Sequence, residues 1–199
     1  MDVIQPTDGH SLYLPDNTII APGPGVSLRI GGTFHAICED RFGRVKWEDI
    51  AKNIVPDAAL TVMLDIIYRN QTPASALYMG LVDNSGFTAF AAGDTMAVSG
   101  HTGWTEIAAG TGYTTTGSNR LTWSPAAAAS KSISNSSTVN FPMLGTYTVK
   151  GAFLTNLQSS TGSSPTYYIA AEAAFSGGTQ SVNNGDTLKI TYTVNATTS

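Results

Sequence analysis

Charged residues are scarce in this chain of 199 residues, of which only 12% are Asp, Glu, Lys or Arg. An average globular protein carries about 25%. The scarcity is greatest from Ile107 to Val149, where forty-three residues include only two charges, Arg120 and Lys131. Short neutral side chains lose little rotamer entropy, and no ion hydration, when another protein covers them. The composition therefore indicates assembly rather than catalysis.

An excess of positive charge is also missing, since the net charge is −4 and the pI about 5.2. Nucleic-acid binding needs a basic face that neutralises phosphates, so we expect no nucleic-acid partner. No apolar run approaches the roughly 18 residues of a membrane span, and residues 1–3 lack the basic start of a signal peptide. We therefore expect no membrane partner, and synthesis in a cytoplasm.

Residues that commonly bind metals are few. The single cysteine, Cys38, excludes an internal disulfide and a cysteine zinc cluster. It lies in a β-like run, residues 34–38, which predicts a buried thiol. The three histidines, His10, His35 and His101, show no paired spacing. We predict no metal or other cofactor.

Catalytic motifs are missing as well. Neither G-x-S-x-G nor a phosphate loop ending in GK[ST] occurs. Adjacent carboxylates, at Glu39-Asp40 and Glu48-Asp49, point to opposite sides of a strand, so we expect them to be solvated turn or strand-edge charges. Glu48 and Asp49 could also offset Arg44 and Lys46. Residues 83–86 (DNSG) begin like a calcium loop, but the sixth and twelfth positions do not fit, which favours an Asx turn. The chain is predicted not to be an enzyme.

Residues 1–32 are predicted to form an extended N-terminal arm. Four prolines and five glycines prevent a helix there and interrupt any central strand. The arm is too apolar for a solvated linker, so it needs a surface, either on its own domain or on a neighbouring subunit. Both alternatives stay open. The candidate capsid or subunit contacts in the arm are Ile4, Leu12, Tyr13, Leu14, Ile19 and Ile20.

Residues 33–199 are predicted to form one mainly β domain with one helix. Thr33–Ile54 has the pattern of a hairpin that turns at Gly43. A helix at about 57–70 follows, with Asp57 as N-cap and Asn70 near its end. Its apolar residues recur at i, i+3, i+4 and i+7, on a face wide enough to be covered on more than one side.

The remaining strands are short and separated by turn signals. Thr-rich outer faces and period-two patterns predict an antiparallel β-sandwich of jelly-roll type. The predicted strands are Ala76–Val82, Arg120–Ser124, Ser132–Phe141, Tyr147–Thr155, Tyr167–Phe175 and Leu188–Val194. Trp123 alternates with Leu121 and is predicted to be in the core. Trp104 follows a glycine in residues 101–104 and is predicted to be an exposed loop contact.

Several sequence blocks recur together in one family. They are residues 43–47 (GRVKW), 53–56 (NIVP), 63–65 (MLD), 77–81 (LYMGL), 94–96 (DTM), 103–106 (GWTE), 150–154 (KGAFL) and 184–188 (NGDTL). In this order the chain resembles bacteriophage capsid cement or decoration proteins over roughly residues 33–196. The resemblance implies a non-enzymatic virion protein, made in the host cytoplasm, that binds the outer capsid surface. Its implied partners are the major capsid protein and copies of itself.

The alternative is a tail- or neck-associated module, or a receptor- or glycan-binding β-sandwich of the virion that uses Trp104. The sequence leaves open the oligomeric state, the capsid axis occupied, and whether the neutral stretch is an interface or an outer face.

Overall fold

The computed structural model describes the backbone of residues 12–13 and 19–20, and residues 28–97, 100–163, 166–178 and 180–198 in full. The chain divides into two compact units, one of Met1–Arg29 with Thr197–Ser199 and one of Ile30–Ala196. In the smaller unit, strands β1 (Leu12–Tyr13) and β2 (Ile19–Ile20) form a short antiparallel ladder. Leu12 lies opposite Ile20 in this ladder, and Tyr13 lies opposite Ile19.

The described part of the larger unit is mainly β with one helix, α1 (Asp57–Arg69). Its strands are β3 (Leu28–Glu39), β4 (Val45–Lys52), β5 (Leu77–Asp83), β6 (Thr105–Ile107), β7 (Leu121–Trp123), β8 (Ser132–Ser134), β9 (Val139–Pro142), β10 (Tyr147–Thr155), β11 (Ile169–Ala174), β12 (Gln180–Val182) and β13 (Thr187–Thr198). The first sheet has the order β4-β3-β13-β8, and β9 also pairs with β13. The second has the order β11-β10-β5-β6, with β12 on β10 and β7 on β5.

One hydrophobic core lies between the two sheets. Phe34 of β3, Leu188 of β13, Met79 of β5 and Leu154 of β10 all belong to it and are at most 1% exposed. Ladders within both sheets are antiparallel. This arrangement confirms the mainly β, antiparallel prediction and is consistent with a β-sandwich. Cys38 is fully buried in this core, as predicted, and burial raises the pKa of its thiol to about 11.

The predicted hairpin is present as β3 and β4, with Gly43 at φ 78° in the turn. Glu48 is solvent-exposed as predicted, but Asp49 is buried, and neither offsets Arg44 or Lys46. Arg44 pairs with Asp40, and Lys46 pairs with Asp186. Glu48 lies on the solvent-facing side of the first sheet, whereas Asp49 points towards the core. Alternation along the strand therefore sends the two carboxylates to different partners.

Asp49 connects the two sheets. Its carboxylate accepts hydrogen bonds from the backbone N–H groups of Ser176 and Gly177, the Ser176 hydroxyl and the Gln180 amide, at 2.7–3.1 Å. Burial opposes its ionisation, but these bonds lower the pKa of Asp49 below its usual value. The ionised Asp49 carboxylate therefore has a structural role, because it joins β4 of the first sheet to the residues between β11 and β12 of the second.

Helix α1 ends as predicted, with Asn70 in the left-handed conformation and its N–H bonded to the Asp65 carbonyl. Asp57 as N-cap is wrong by one residue. Pro56 is the N-cap, in an extended conformation and with no side-chain capping bond. The Asp57 N–H instead bonds the Ala92 carbonyl, and the Asp57 carboxylate lies in the first turn, where the helix dipole favours negative charge.

The predicted strand Ser132–Phe141 is two strands, β8 and β9, that pair with different parts of β13. Asn135 fills the break in the ladder. Its side-chain oxygen accepts from the Tyr192 N–H and the Trp123 indole, and its amide donates to the Ile190 and Ser137 carbonyls. Strand Tyr147–Thr155 is present with its predicted bounds as β10, the other predicted strands are present with shifted ends, and β6 and β12 are additional.

The outer faces of the two sheets differ. The first sheet carries exposed or half-buried ion pairs, His35 with Glu48 and Glu39 with Lys189. On the second sheet, Val82 and Phe153 belong to a separate apolar cluster with Met96, Trp104, Leu157 and Ile169. Residues 84–104 and helix α1 supply the cover on that side, since Trp104 packs on Phe153 and α1 packs on β11.

Candidate interaction surface

Helix α1 exposes a row of large apolar side chains. Leu60, Leu64, Ile67 and Tyr68, here called the helix ridge, have exposed fractions of 40%, 57%, 64% and 78%. Their spacing of i, i+4, i+7 and i+8 places them on one side of the helix. Fully burying such a side chain contributes about 1.5–3 kcal/mol, so the ridge would gain substantially from a cover.

The opposite side of the helix lies on the second sheet. Ala59 is 1% exposed, while Val62, Met63 and Ile66 are half-buried. The prediction that the apolar face is covered on more than one side is therefore wrong within this chain's described residues. Periodicity shows which residues share a face, but a sheet covers only the side of the helix that lies against it.

The predicted exposure of Trp104 is wrong. Its side chain is 2% exposed, and its indole N–H donates to the Asp94 carboxylate at 2.9 Å. The ring packs against Phe90 and Phe153 and stacks on His101 with centroids 4.1 Å apart. The loop turns inward because Gly103 lies directly on the Ala89 carbonyl, where a Cβ would collide.

Glu172, next to this indole, is an unusual buried carboxyl group. It is fully buried on β11, and neither of its oxygens has a hydrogen-bond partner of good geometry among the described residues. The pKa of Glu172 is raised to about 9. Burial is the main cause and the nearby Asp94 carboxylate adds to it, while the Trp104 indole acts in the opposite direction. Glu172 is therefore a neutral carboxylic acid at neutral pH.

Arg120, in contrast to Glu172, is a buried charged group that has hydrogen-bond partners. It is 2% exposed and forms two hydrogen bonds of 2.7 and 2.8 Å with the Glu106 carboxylate. Its remaining N–H groups donate to the Leu157 and Ser159 carbonyls. One of the two charges in the neutral stretch is thus internal, which leaves Lys131 as the exposed charge between residues 107 and 149.

The neutral stretch itself divides between core and surface. Tyr113, Trp123, Val139, Phe141 and Met143 are core residues, which confirms the prediction for Trp123. Residues 124–131 (SPAAAASK) are exposed throughout.

A second exposed apolar area lies at the tip of the β3–β4 hairpin. Phe42 and Val45, here called the hairpin patch, have exposed fractions of 68% and 60%. The guanidinium groups of Arg41 and Arg44 lie 4.8 and 5.2 Å from the centroid of the Phe42 ring. This contact holds the ring at the hairpin tip without covering it.

The predicted arm contacts are only partly within the described residues. Leu12, Tyr13, Ile19 and Ile20 lie in the β1–β2 ladder, which is described for its backbone, and Ile4 and Leu14 lie outside the described residues. Their role as capsid or subunit contacts stays a prediction.

The described residues were compared with the patterns expected of a metal site, a calcium loop and a membrane span. In the described ranges, no three His, Cys, Asp or Glu side chains lie together as metal ligands would. The Asp83 carboxylate accepts the Ser85 N–H at 3.0 Å, which confirms the predicted Asx turn. Among those residues, no helix is both long and apolar enough to cross a membrane.

Comparisons with protein-family models, curated proteins and solved structures found no match to this chain. The helix ridge, the hairpin patch and Glu172 are therefore identified only by their positions and contacts in this structure. The helix ridge was detectable in the sequence as a periodic apolar face, although its exposure was not. Glu172 also had a signal, because it is the one acid in the apolar run Ile169–Ala174.

Proposed function

We propose that this chain is a non-enzymatic structural protein of a phage virion that binds the capsid shell and stabilises it. The observation that carries the proposal is the pair of exposed apolar areas, the helix ridge and the hairpin patch, on different elements of a charge-poor domain. Two such areas suit a protein with two kinds of partner, the major capsid protein and further copies of itself.

The blocks that carry the family resemblance support this proposal. Residues 77–81 and 150–154 are paired core strands, and residues 94–96 and 103–106 contain the Asp94–Trp104 hydrogen bond. Most of these blocks build the scaffold, and none converges on a reactive group.

The finer parts of the architecture belong to the same proposal. Two antiparallel sheets around one core, with β3 beside the last strand β13, are compatible with a jelly roll, and we propose that topology. The arm, predicted as residues 1–32, is proposed here as residues 1–27 and contacts a neighbouring subunit by adding a strand to its sheet edge. Residues 28–32 are excluded from the arm because they belong to β3.

Such a protein strengthens a shell by adding contact area across the joints between capsid subunits. A standard interface buries about 800 Å² on each partner, and several contacts on one molecule multiply their effect through avidity. Contacts made by neutral and apolar side chains avoid the cost of desolvating charges.

The test is binding to shells that lack the protein. Full-length chain, a variant without residues 2–27 and Phe42→Ser are each added to such shells, and occupancy and the temperature of DNA release are measured. We expect the full-length chain to bind in hundreds of copies and to raise the release temperature. Both variants are expected to bind more weakly while remaining folded by circular dichroism.

Full occupancy by the truncated variant would refute the role of the arm. Failure of the full-length chain to bind shells at all would refute the function. About a dozen copies per virion would instead favour the tail or neck alternative. The glycan alternative has lost its main support, since Trp104 is buried.

A further inference from the structure

We propose that helix α1 pairs with α1 of a second copy of this chain, antiparallel about a two-fold axis at Leu64. This deepens the proposed function by assigning a surface to self-association. Pairing in solution is nevertheless measured without any capsid, so the two proposals can fail separately.

The helix ridge is symmetric about its centre. Leu60 and Tyr68 lie four residues before and after Leu64, and Thr61 and Ile67 lie three residues before and after it; all five are exposed. In a two-fold antiparallel pair, Leu64 meets its own copy and Leu60 meets Tyr68 of the second copy. Each apolar side chain of the row thereby faces an apolar or small neutral one.

The charges of the helix leave the ridge free for such a pair. Arg69 bonds Asp65 of its own helix at 3.0 Å, and both side chains lie about 100° or more around the helix from Leu64, away from the axis. Antiparallel helices place the positive end of each helix dipole beside the negative end of the other, which is attractive. A parallel pair would instead place the two exposed Asp57 carboxylates of the first turn together.

The available area is sufficient. The exposed fractions of the four ridge residues amount to roughly 400 Å² of apolar surface per copy. Interfaces are about 60% apolar, so this corresponds to about 700 Å² per copy in all. Two copies then bury about 1,300 Å², within the range of specific interfaces but near its lower end. The pair should therefore be concentration-dependent.

The first experiment measures mass by sedimentation over about 1–200 μM protein. We expect the full chain to shift from monomer to dimer in this range. Leu64→Lys should weaken dimerisation at least tenfold, because two ammonium groups then meet on the axis. Leu144→Lys is the matched control, since Leu144 is also an exposed leucine, at 46% against 57% for Leu64, but lies outside the helix ridge and the hairpin patch; it should leave the dimer unchanged.

The second experiment tests the pairing geometry. In the antiparallel pair Leu60 meets Tyr68 of the second copy, so a mixture of Leu60→Cys and Tyr68→Cys chains should form a disulfide-linked heterodimer on mild oxidation. Each variant alone should form much less, because Leu60 lies eight residues, about 12 Å, along the helix from Leu60 of the second copy.

A third readout is also covalent. Leu64→Cys should form a disulfide-linked dimer on mild oxidation, because a residue on the axis meets its own copy. Leu144→Cys, exposed but outside the helix ridge, should not, and native Cys38 is fully buried. A monomeric full chain at all concentrations overturns the proposal. So does a dimer that Leu64→Lys leaves intact, or a mixture of Leu60→Cys and Tyr68→Cys chains that forms no heterodimer.

Discussion

Replacing Glu172 by glutamine is expected to stabilise the protein at neutral pH. The native carboxyl group is buried without a cation, and its pKa is about 9 in the folded chain against an ordinary value of 4.5. A raised carboxyl pKa means that the folded state binds the proton more tightly than the unfolded state. The contribution of this carboxyl group to folding stability is therefore fully present below about pH 4.5 and is lost as the pH rises to about 9.

The magnitude follows from the two pKa values. Each pH unit between them costs about 1.4 kcal/mol, so the cost at about pH 7 is about 3 kcal/mol. Glutamine has nearly the same shape, carries no proton to lose, and can donate its amide N–H to the Asp94 carboxylate. Glu172→Gln should thus match the wild type at about pH 4 and exceed its stability by about 3 kcal/mol at about pH 7.

Urea unfolding followed by tryptophan fluorescence measures this difference at several pH values. Glu106→Gln is the matched control. Glu106 is also a glutamate of the second sheet and its side chain is only 11% exposed, but it is paired with Arg120. Removing that charge leaves a buried guanidinium unpaired and should cost about 3–5 kcal/mol. The same substitution is thus expected to have opposite effects at the two positions.

The reasoning about Glu172 is refuted by either of two results. One is a Glu172→Gln variant less stable than the wild type at neutral pH. The other is a stability difference that stays constant from acid to alkaline pH, which would mean that the native carboxyl group does not hold its proton.

Two further substitutions test the scaffold, each against a matched control. Gly103→Ala should destabilise the protein by about 1–3 kcal/mol and change Trp104 fluorescence, because the new Cβ collides with the Ala89 carbonyl. Gly93→Ala is its control. A Cβ added at Gly93 meets no atom within 4 Å, so this variant should have little effect. Asn135→Ala should cost about 2–4 kcal/mol in urea unfolding because it removes four hydrogen bonds, whereas alanine at the exposed Asn195 should cost under about 0.5 kcal/mol. Equal effects within either pair would contradict the assigned contacts.

Local chemistry explains which elements were predictable. The turn at Gly43 and the helix end at Asn70 require particular backbone conformations that a few neighbouring residues specify. The split between β8 and β9 was not predictable in this way. Asn135 makes that break through Tyr192 and Ile190, more than fifty residues away. Contacts at such separation leave no periodic signal in the sequence.

The candidate site was only half predictable for a related reason. A 3.6-residue period identifies the apolar positions of α1, but exposure depends on which side the second sheet covers. Trp104 illustrates the converse error, because a glycine-containing loop signals a turn without saying whether it faces the solvent or the protein. Glu172 was the better clue, since a lone acid in an apolar strand must be either neutral or paired.

The neutral stretch from Ile107 to Val149 no longer identifies the interface by itself. Part of it is core, Arg120 is internal, and its exposed loop at residues 124–131 carries mainly small side chains that offer little area to a partner. The helix ridge lies outside this stretch and exposes more apolar surface per residue. Low charge lowers the cost of covering a surface, whereas large apolar side chains supply the gain. The ridge combines both, because its four residues are large and uncharged, and the neighbouring Asp65 is already paired with Arg69 of the same helix.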